Sequence, residues 1–158
     1  MTSLITTIPP NNHNNNNNNK MTSATGLLSM LTEPDPILVH AALTRLLKVV
    51  DTLWHEVARS LPDLESLSED TSLPETTRKI AAAVASRVYF HLEEPGQALR
   101  LALESGAEYG FDVVNGLKKG EVRERAYVEC LVGAAVEEYI KRKRDMYDSM
   151  ALFKEGGG

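Results

Sequence analysis

The sequence predicts an all-α fold of α-solenoid-like antiparallel helical hairpins, preceded by a disordered, asparagine-rich N-terminal tail. Between residues 21 and 106, apolar residues recur at the three- and four-residue spacings of amphipathic helices. Short segments with proline or glycine separate these runs. No run alternates apolar and polar residues in the way that a half-buried strand does. No repeat of fixed period joins the helices, which argues against a regular tetratricopeptide array.

The asparagine tract divides the chain. Residues 11–19 read NNHNNNNNN and offer almost nothing to bury, so we expect residues 1–20 to be a disordered tail. We expect residues 21–145 to form one helical scaffold domain. The glycine-rich end leads us to expect a flexible segment over residues 146–158, as in a truncated chain.

The longest apolar stripe predicts a helix that starts after Pro34. Asp35 is its expected N-cap and Pro36 its first residue, and Pro62 is expected to end it. We predict that Leu47 and Trp54 widen the stripe and that Glu56 faces water. The stripe itself consists of Val39, Leu43, Leu46, Val50, Leu53 and Val57. Before it, Thr22 or Ser23 can cap a short helix.

A helical hairpin is predicted over residues 75–92 and 97–105, after an acidic stretch at 63–73 with at most a short helical turn. Ser72 and Pro74 are the expected start, and Gly106 is the expected end. The expected apolar positions of the hairpin are Ile80, Ala81, Val84, Ala85, Val88, Leu92, Ala98, Leu99, Ala102 and Leu103. The core residues that we predict are Leu43, Leu46, Val50, Leu53, Val84 and Val88.

A loop over residues 107–120 and a last helix over about 121–144 complete the prediction. The apolar positions of this helix are Val122, Ala126, Val128, Leu131, Val132, Ala135 and Tyr139.

From its charge and composition, we do not expect the chain to bind nucleic acid, a membrane or a small-molecule substrate. The net charge is −5, and the only basic run is Lys141-Arg142-Lys143-Arg144, which reads as a basic helix end or as a nuclear-localisation patch. No apolar run is long enough to span a membrane, and the N-terminus does not resemble a signal peptide. The single cysteine fits a reducing compartment. We therefore expect a soluble, intracellular protein.

No constellation of side chains predicts catalysis. His55-Glu56 lacks the second histidine of a zinc-protease motif, because position 59 is arginine. His40, His55 and His91 are too scattered for a metal site, and Cys130 is expected to be a buried structural thiol. Glu65, Glu69 and Asp70 suggest a solvated acidic face more than an acid–base pair. We predict no enzyme activity and no catalytic, cofactor-binding or metal-binding residues.

Four segments in order resemble one protein family. They are MTSATGLLSML (21–31), LLKVVDTLWHEVARSLPDLESLSED (46–70), AAAVASRVYFHLEEPGQALRLALESG (81–106) and VECLVGAAVEEYIKRK (128–143). This combination resembles the N-terminal region of the largest non-ATPase subunit of the 26S proteasome regulatory particle base. Residues 1–20 depart from that family, whose usual start resembles Met21.

The resemblance implies a non-catalytic scaffold. Members of that family have an N-terminal helical rod, a toroid of proteasome/cyclosome repeats and a C-terminal part that holds a ubiquitin receptor. Only the first helices of the rod are implied here, without the repeats. The implied partners are other regulatory-particle subunits, and the implied role supports ubiquitin-dependent protein degradation. The alternative is a free-standing helical adaptor that binds a peptide or a partner helix.

Overall fold

The computed structural model describes residues 21–109 and 122–156. The predicted tail at 1–20 and most of the predicted loop at 107–120 lie outside these ranges. All regular secondary structure within the described ranges is helical, which confirms the all-α prediction. The α-helices are α1 (Thr25–Ser29), α2 (Pro36–Val57), α3 (Leu61–Glu69), α4 (Glu75–His91), α5 (Pro95–Ser105) and α6 (Val122–Glu155). Short 3-10 turns follow α1 and α2.

Helix α2 starts and buries its stripe as predicted. The Asp35 carboxylate accepts a hydrogen bond from the Ile37 backbone N–H at 2.9 Å, and Pro36 is the first helical residue. All six predicted stripe residues are buried, whereas Leu47 and Trp54 are half-buried. This stripe packs against α4 and against the short α1 segment.

The end of α2 differs from the prediction. Leu53 has non-helical angles (φ −111°, ψ 18°), so the helix is kinked there, and it ends at Val57. Pro62 lies in the first turn of α3 instead of ending α2, because a proline needs no backbone N–H partner at that place. The expected short turn at 63–73 is the nine-residue helix α3, with Leu64 buried.

Helices α4 and α5 form the predicted hairpin. The turn between them places Glu93 at a positive φ of 59°, and Gly106 caps the end of α5 at a φ of 73°. Pro74, rather than Ser72, is the N-cap residue of α4, and its side chain cannot accept a hydrogen bond from the first turn. Leu92 and Leu103 are exposed, although the sequence placed them on the apolar side of the hairpin. Leu101, which the sequence did not place there, is fully buried.

The core is built around α4. Every residue from 81 to 88 is buried, because α2, α3 and α5 all pack on this helix. Alanines at 81, 82, 83 and 85 let those helices approach closely. The six predicted core residues are all buried, as expected.

Helix α6 is longer than predicted. It runs to Glu155 rather than to about residue 144, because no proline interrupts it and the next glycine after Gly133 is Gly156. Residues 146–155, assigned to a flexible end from the sequence, are therefore helical. Its buried residues are Tyr127, Val128, Leu131 and Ala134. The predicted positions Val122, Val132 and Tyr139 are exposed.

Candidate functional site

A group of polar side chains joins α2, α4 and α6, and we call it the polar joint. It comprises Asp51, Ser86, Arg87, His91, Glu124 and Tyr127. The sequence prediction missed all of its pairings, because no local spacing brings residues 51, 87 and 124 together.

Arg87 is the centre of the polar joint. Its Nη2 donates to both carboxylate oxygens of Glu124, at 2.7 and 2.8 Å, and its Nη1 lies 3.4 Å from Asp51 Oδ2. The guanidinium also stacks on the Tyr127 ring, with its central carbon 3.8 Å from the ring centroid. Burial lowers the pKa of Arg87, but Glu124, Asp51 and Tyr127 outweigh that effect, so the pKa lies above its ordinary value. Arg87 therefore stays charged.

Tyr127 closes the joint from the α6 side. Its ring is fully buried and meets Phe90 edge-on, with ring centroids 5.5 Å apart. Ser86 Oγ donates to the Ala98 carbonyl at 2.6 Å, so the Tyr127 hydroxyl, 2.7 Å from Ser86 Oγ, donates to that oxygen. Burial raises the pKa of Tyr127. The hydroxyl is thus a neutral structural donor.

His40, His55 and His91 do not converge on a metal site. His91 Nε2 lies 3.0 Å from Asp51 Oδ1, and its ring stacks on Trp54 at a centroid distance of 5.6 Å. His40 instead bonds Thr77, with 2.9 Å between Nδ1 and Oγ1, and His55 is exposed. Within residues 21–109 and 122–156, no group of three or more histidine, cysteine or acidic side chains could hold a metal ion.

Glu65 and Asp70, which the sequence offered as an acid–base pair, each make their own structural hydrogen bonds. Glu65 accepts hydrogen bonds from the Tyr89 hydroxyl at 2.8 Å and from Arg100 at 3.3 Å, which ties α3 to α4 and α5. Hydrogen bonds from Ser72 lower the pKa of Asp70, the opposite of what a general acid needs.

Glu56 is half-buried instead of solvated. Its Oε2 accepts from the Ala24 backbone N–H at 2.8 Å and from Ser23 Oγ at 2.9 Å, and therefore holds the start of α1 against α2. Ser23 Oγ also accepts from the Thr25 N–H at 3.2 Å. The N-cap residue of α1 is nevertheless Ala24, without a side-chain capping hydrogen bond, so the prediction that Thr22 or Ser23 is the cap is wrong.

Cys130 is half-buried, whereas the sequence suggested a fully buried thiol. Burial raises its pKa, which keeps it protonated and a poor nucleophile. The reason for the partial exposure is that the buried side of α6 is centred on Tyr127, Leu131 and Ala134.

The second notable surface is one side of α6 beyond its contact with α5. We call it the outer face of α6, and it contains Val132, Val136, Tyr139, Ile140, Met146, Tyr147, Met150 and Phe153, all of which are exposed. Phe153 is 86% exposed and Tyr147 is 64% exposed. The basic run lies along the same helix, where Arg142 pairs with Glu138 at 2.8 Å. No described helix has an apolar stretch long enough to cross a membrane.

Comparison with known protein families shows to which family this chain belongs. Residues 22–155 match the model of the 26S proteasome subunit RPN2, N-terminal domain. The chain belongs to this family. The match includes α1 to α6 and so covers both the polar joint and the outer face of α6.

Individual relatives agree with the family match. The Arabidopsis thaliana 26S proteasome non-ATPase regulatory subunit 1 homolog B is 38% identical over 75% of this chain. The Drosophila melanogaster 26S proteasome non-ATPase regulatory subunit 1 is 33% identical over 82% of it, and the Saccharomyces cerevisiae 26S proteasome regulatory subunit RPN2 is 31% identical over 80%. The alignments cover only 11%, 12% and 12% of these relatives, in the same order. The chain is thus similar to a small part of proteasome regulatory subunits.

Proposed function

We propose that this chain is a non-catalytic scaffold segment of the 26S proteasome regulatory particle. Its polar joint fixes the direction of α6, and the outer face of α6 docks on a helix of another regulatory-particle subunit. Through such contacts the segment supports ubiquitin-dependent protein degradation in the cytoplasm and nucleus. The scaffold domain that we propose extends to Glu155 and not only to residue 145, because α6 does not end before it.

The single observation that carries this proposal is the length of the exposed apolar side of α6. From Val132 to Phe153 it spans 21 residue steps, which at about 1.5 Å per residue is roughly 30 Å of helix. Lys143 lies among these residues, with its Nζ 5.7 Å from the centroid of the Tyr139 ring, so this side consists of two apolar groups with a basic residue between them. Soluble monomers rarely expose this many apolar side chains along one side of a helix, and such a side is the usual contact for a partner helix. The surface therefore favours a protein partner over a small ligand.

The identity of the partner is supported by the family. The relatives are named as non-ATPase or regulatory subunits of the 26S proteasome. A subunit of a large assembly needs surfaces that are buried by its neighbours, and an apolar helix side of this length provides one. The polar joint suits this role because a rigid α6 presents the surface in one orientation.

A groove between α5 and α6 supports the alternative of a free-standing helical adaptor. It measures about 590 Å³, and Leu99, Leu103 and Ala134 form apolar parts of its wall. Charged residues of both helices, including Arg100, Glu137 and Lys141, line it as well. A short peptide or helix could bind there, which would need neither the outer face of α6 nor the proteasome.

Affinity capture of the tagged 158-residue chain from cell extract tests the proposal, with captured proteins identified by mass spectrometry. We expect regulatory-particle subunits with the native chain, and their loss with Met150→Glu. The matched control is Ser149→Glu, which adds the same charge to an exposed neighbour on a different side of α6 and should keep the subunits.

The outcomes separate the two candidate functions. Capture of a protein outside the regulatory particle that is lost with Leu103→Glu but kept with Met150→Glu would favour the adaptor. Capture of no regulatory-particle subunit by a folded native chain would contradict the scaffold function. Circular dichroism of each variant shows whether the helices remain intact.

A further inference from the structure

The exposed apolar residues of α6 follow the heptad repeat of a coiled coil. From Val132 to Phe153, steps of four and three residues alternate along this one helix. The resulting period of 3.5 residues keeps a narrow line of side chains on one side, as in helices that pack lengthwise on a partner helix. We call these positions the seam of α6. All but one of them are apolar or aromatic and exposed: Val132, Val136, Tyr139, Met146, Met150 and Phe153.

Lys143 occupies the remaining position of the seam. In the usual lettering of a heptad it stands at position a, together with Val136 and Met150, and the other residues of the seam stand at position d. Lys143 is exposed, and its ammonium group lies over the Tyr139 ring, one turn earlier in the seam. A helix that covers the seam therefore covers the Lys143 side chain as well.

The helix α6 itself offers Lys143 no counter-charge. The residues three and four positions before and after it are all apolar or aromatic, and it forms no ion pair within the described ranges. By contrast, each of the other three residues of the basic run has an acidic residue four positions away, as in the Arg142–Glu138 pair. An ammonium group that loses water without gaining an acceptor is costly. A helix that covers Lys143 must therefore supply the carboxylate.

We propose that the seam of α6 binds one amphipathic helix of another protein as a coiled coil, and that a glutamate or aspartate of this helix faces Lys143. A single charged residue at position a fixes the register of a coiled coil and selects its partner, at a cost in stability. A second copy of the chain is the poorer partner, because it brings another Lys143 into the same seam and like charges repel. The apolar positions then allow self-association that Lys143 weakens. The source of the acidic helix as another regulatory-particle subunit rests on the proposed function.

A synthetic helix of four heptads can test the seam without any subunit. The probe carries a fluorescein label, valine at a and leucine at d, except for one glutamate at a central position. Two versions place this glutamate at a or at d, because an antiparallel partner pairs a with d. We expect the 158-residue chain to bind one version saturably in fluorescence anisotropy, roughly tenfold more tightly than the same helix with lysine in place of the glutamate.

Reversing the charge of Lys143 should reverse this preference. Lys143→Glu should bind the lysine helix more tightly than the glutamate helix. The matched control is Arg144→Glu, which makes the same change of charge at the next exposed residue, outside the seam, and should keep the native preference. Circular dichroism shows whether each variant keeps its helices.

Three results would overturn the proposal. The first is equal affinity of the folded native chain for the glutamate and lysine helices, or binding of neither. The second is an equal effect of Lys143→Glu and Arg144→Glu, which would indicate only attraction between net charges. The third is self-association tighter than binding of the glutamate helix, which would assign the seam to a second copy. Binding of the glutamate helix together with failed capture of proteasome subunits would instead keep the seam and reject the proposed function.

Discussion

At the scale of single residues, Arg87 shows how a charged side chain can occupy the middle of a core helix. It is among the few buried polar residues described, and it is neutralised by two carboxylates that are each just over a quarter exposed. A buried charge is tolerated only when it is paired and hydrogen-bonded. The Arg87 pairings therefore restrict how α6 can sit on α4.

Replacing Arg87 by methionine should destabilise the protein by about 2–3 kcal/mol. The change keeps an apolar stem but leaves Glu124 and Asp51 without their cation. The loss is smaller than for a fully buried pair, since both carboxylates keep some contact with water. Urea unfolding followed by circular dichroism measures it.

A double-mutant cycle identifies the pair itself. Glu124→Gln in the Arg87→Met background should cost much less than Glu124→Gln in the native chain, because the partner charge is already gone. Strictly additive effects would contradict a direct Arg87–Glu124 interaction.

Glu56 gives a prediction for pH. Hydrogen bonds from Ala24 and then Ser23 lower its pKa in the folded state, so its contribution to stability is present above its ordinary pKa and is lost as the pH falls through the lowered value. We expect Glu56→Gln to lower the melting temperature at neutral pH, and this difference to shrink toward about pH 3. A pH-independent difference would show that the carboxylate charge is not involved.

At the scale of elements, the α2 stripe was predictable because its information is local. Apolar residues at helical spacing, a capping aspartate and a proline at the first position each act within a few residues, and the structure confirms all three. The hairpin of α4 and α5 was predictable for the same reason.

Features that depend on distant contacts were not predictable. The kink at Leu53 and the hydrogen bond from the Ala24 backbone N–H to Glu56 depend on how α1, α2 and α4 pack. The prediction of which residues of α6 are buried was also wrong in part. Tyr127 is buried because it contacts Ser86 and Arg87 of α4, and the sequence of α6 alone does not reveal these contacts. The role of Pro62 was ambiguous, because proline both ends one helix and begins the next.

The α2 stripe leads to a strong prediction for Val50→Asp. Val50 is fully buried at the middle of the stripe, and a carboxylate there has no partner. We expect loss of cooperative thermal unfolding, since the cost of several kcal/mol approaches the whole stability of about 5–15 kcal/mol of a typical domain.

Thr52→Asp is the matched control for this variant. It places the same side chain two residues further along α2 at an exposed position, and it should unfold within a few degrees of the native chain. An unchanged melting curve for Val50→Asp would refute the assignment of the stripe to the core.

At the scale of the whole molecule, the chain has a well-packed body and an unpartnered helix side. The body contains two neighbouring groups of buried residues, one around α2 and α4 and one where α5 meets α6. The outer face of α6 belongs to neither group. A segment of this design is suited to be completed by another protein.

The isolated chain should therefore associate with itself. We expect sedimentation velocity to show a concentration-dependent shift to larger species, and Met150→Glu to reduce it while Ser149→Glu does not. The reason is that the apolar side of α6 is the exposed surface most easily covered by a second copy. A native chain that stays monomeric at high concentration would contradict this expectation.

Site-specific photo-crosslinking in cells that assemble the chain into the proteasome tests whether the outer face of α6 docks on another subunit. A photoreactive residue would replace Met150 on the outer face of α6 or Arg45 on the exposed side of α2. We expect a crosslink from position 150 to another regulatory-particle subunit and none from position 45. Crosslinks only from position 45, with position 150 remaining exposed in the assembled complex, would contradict it.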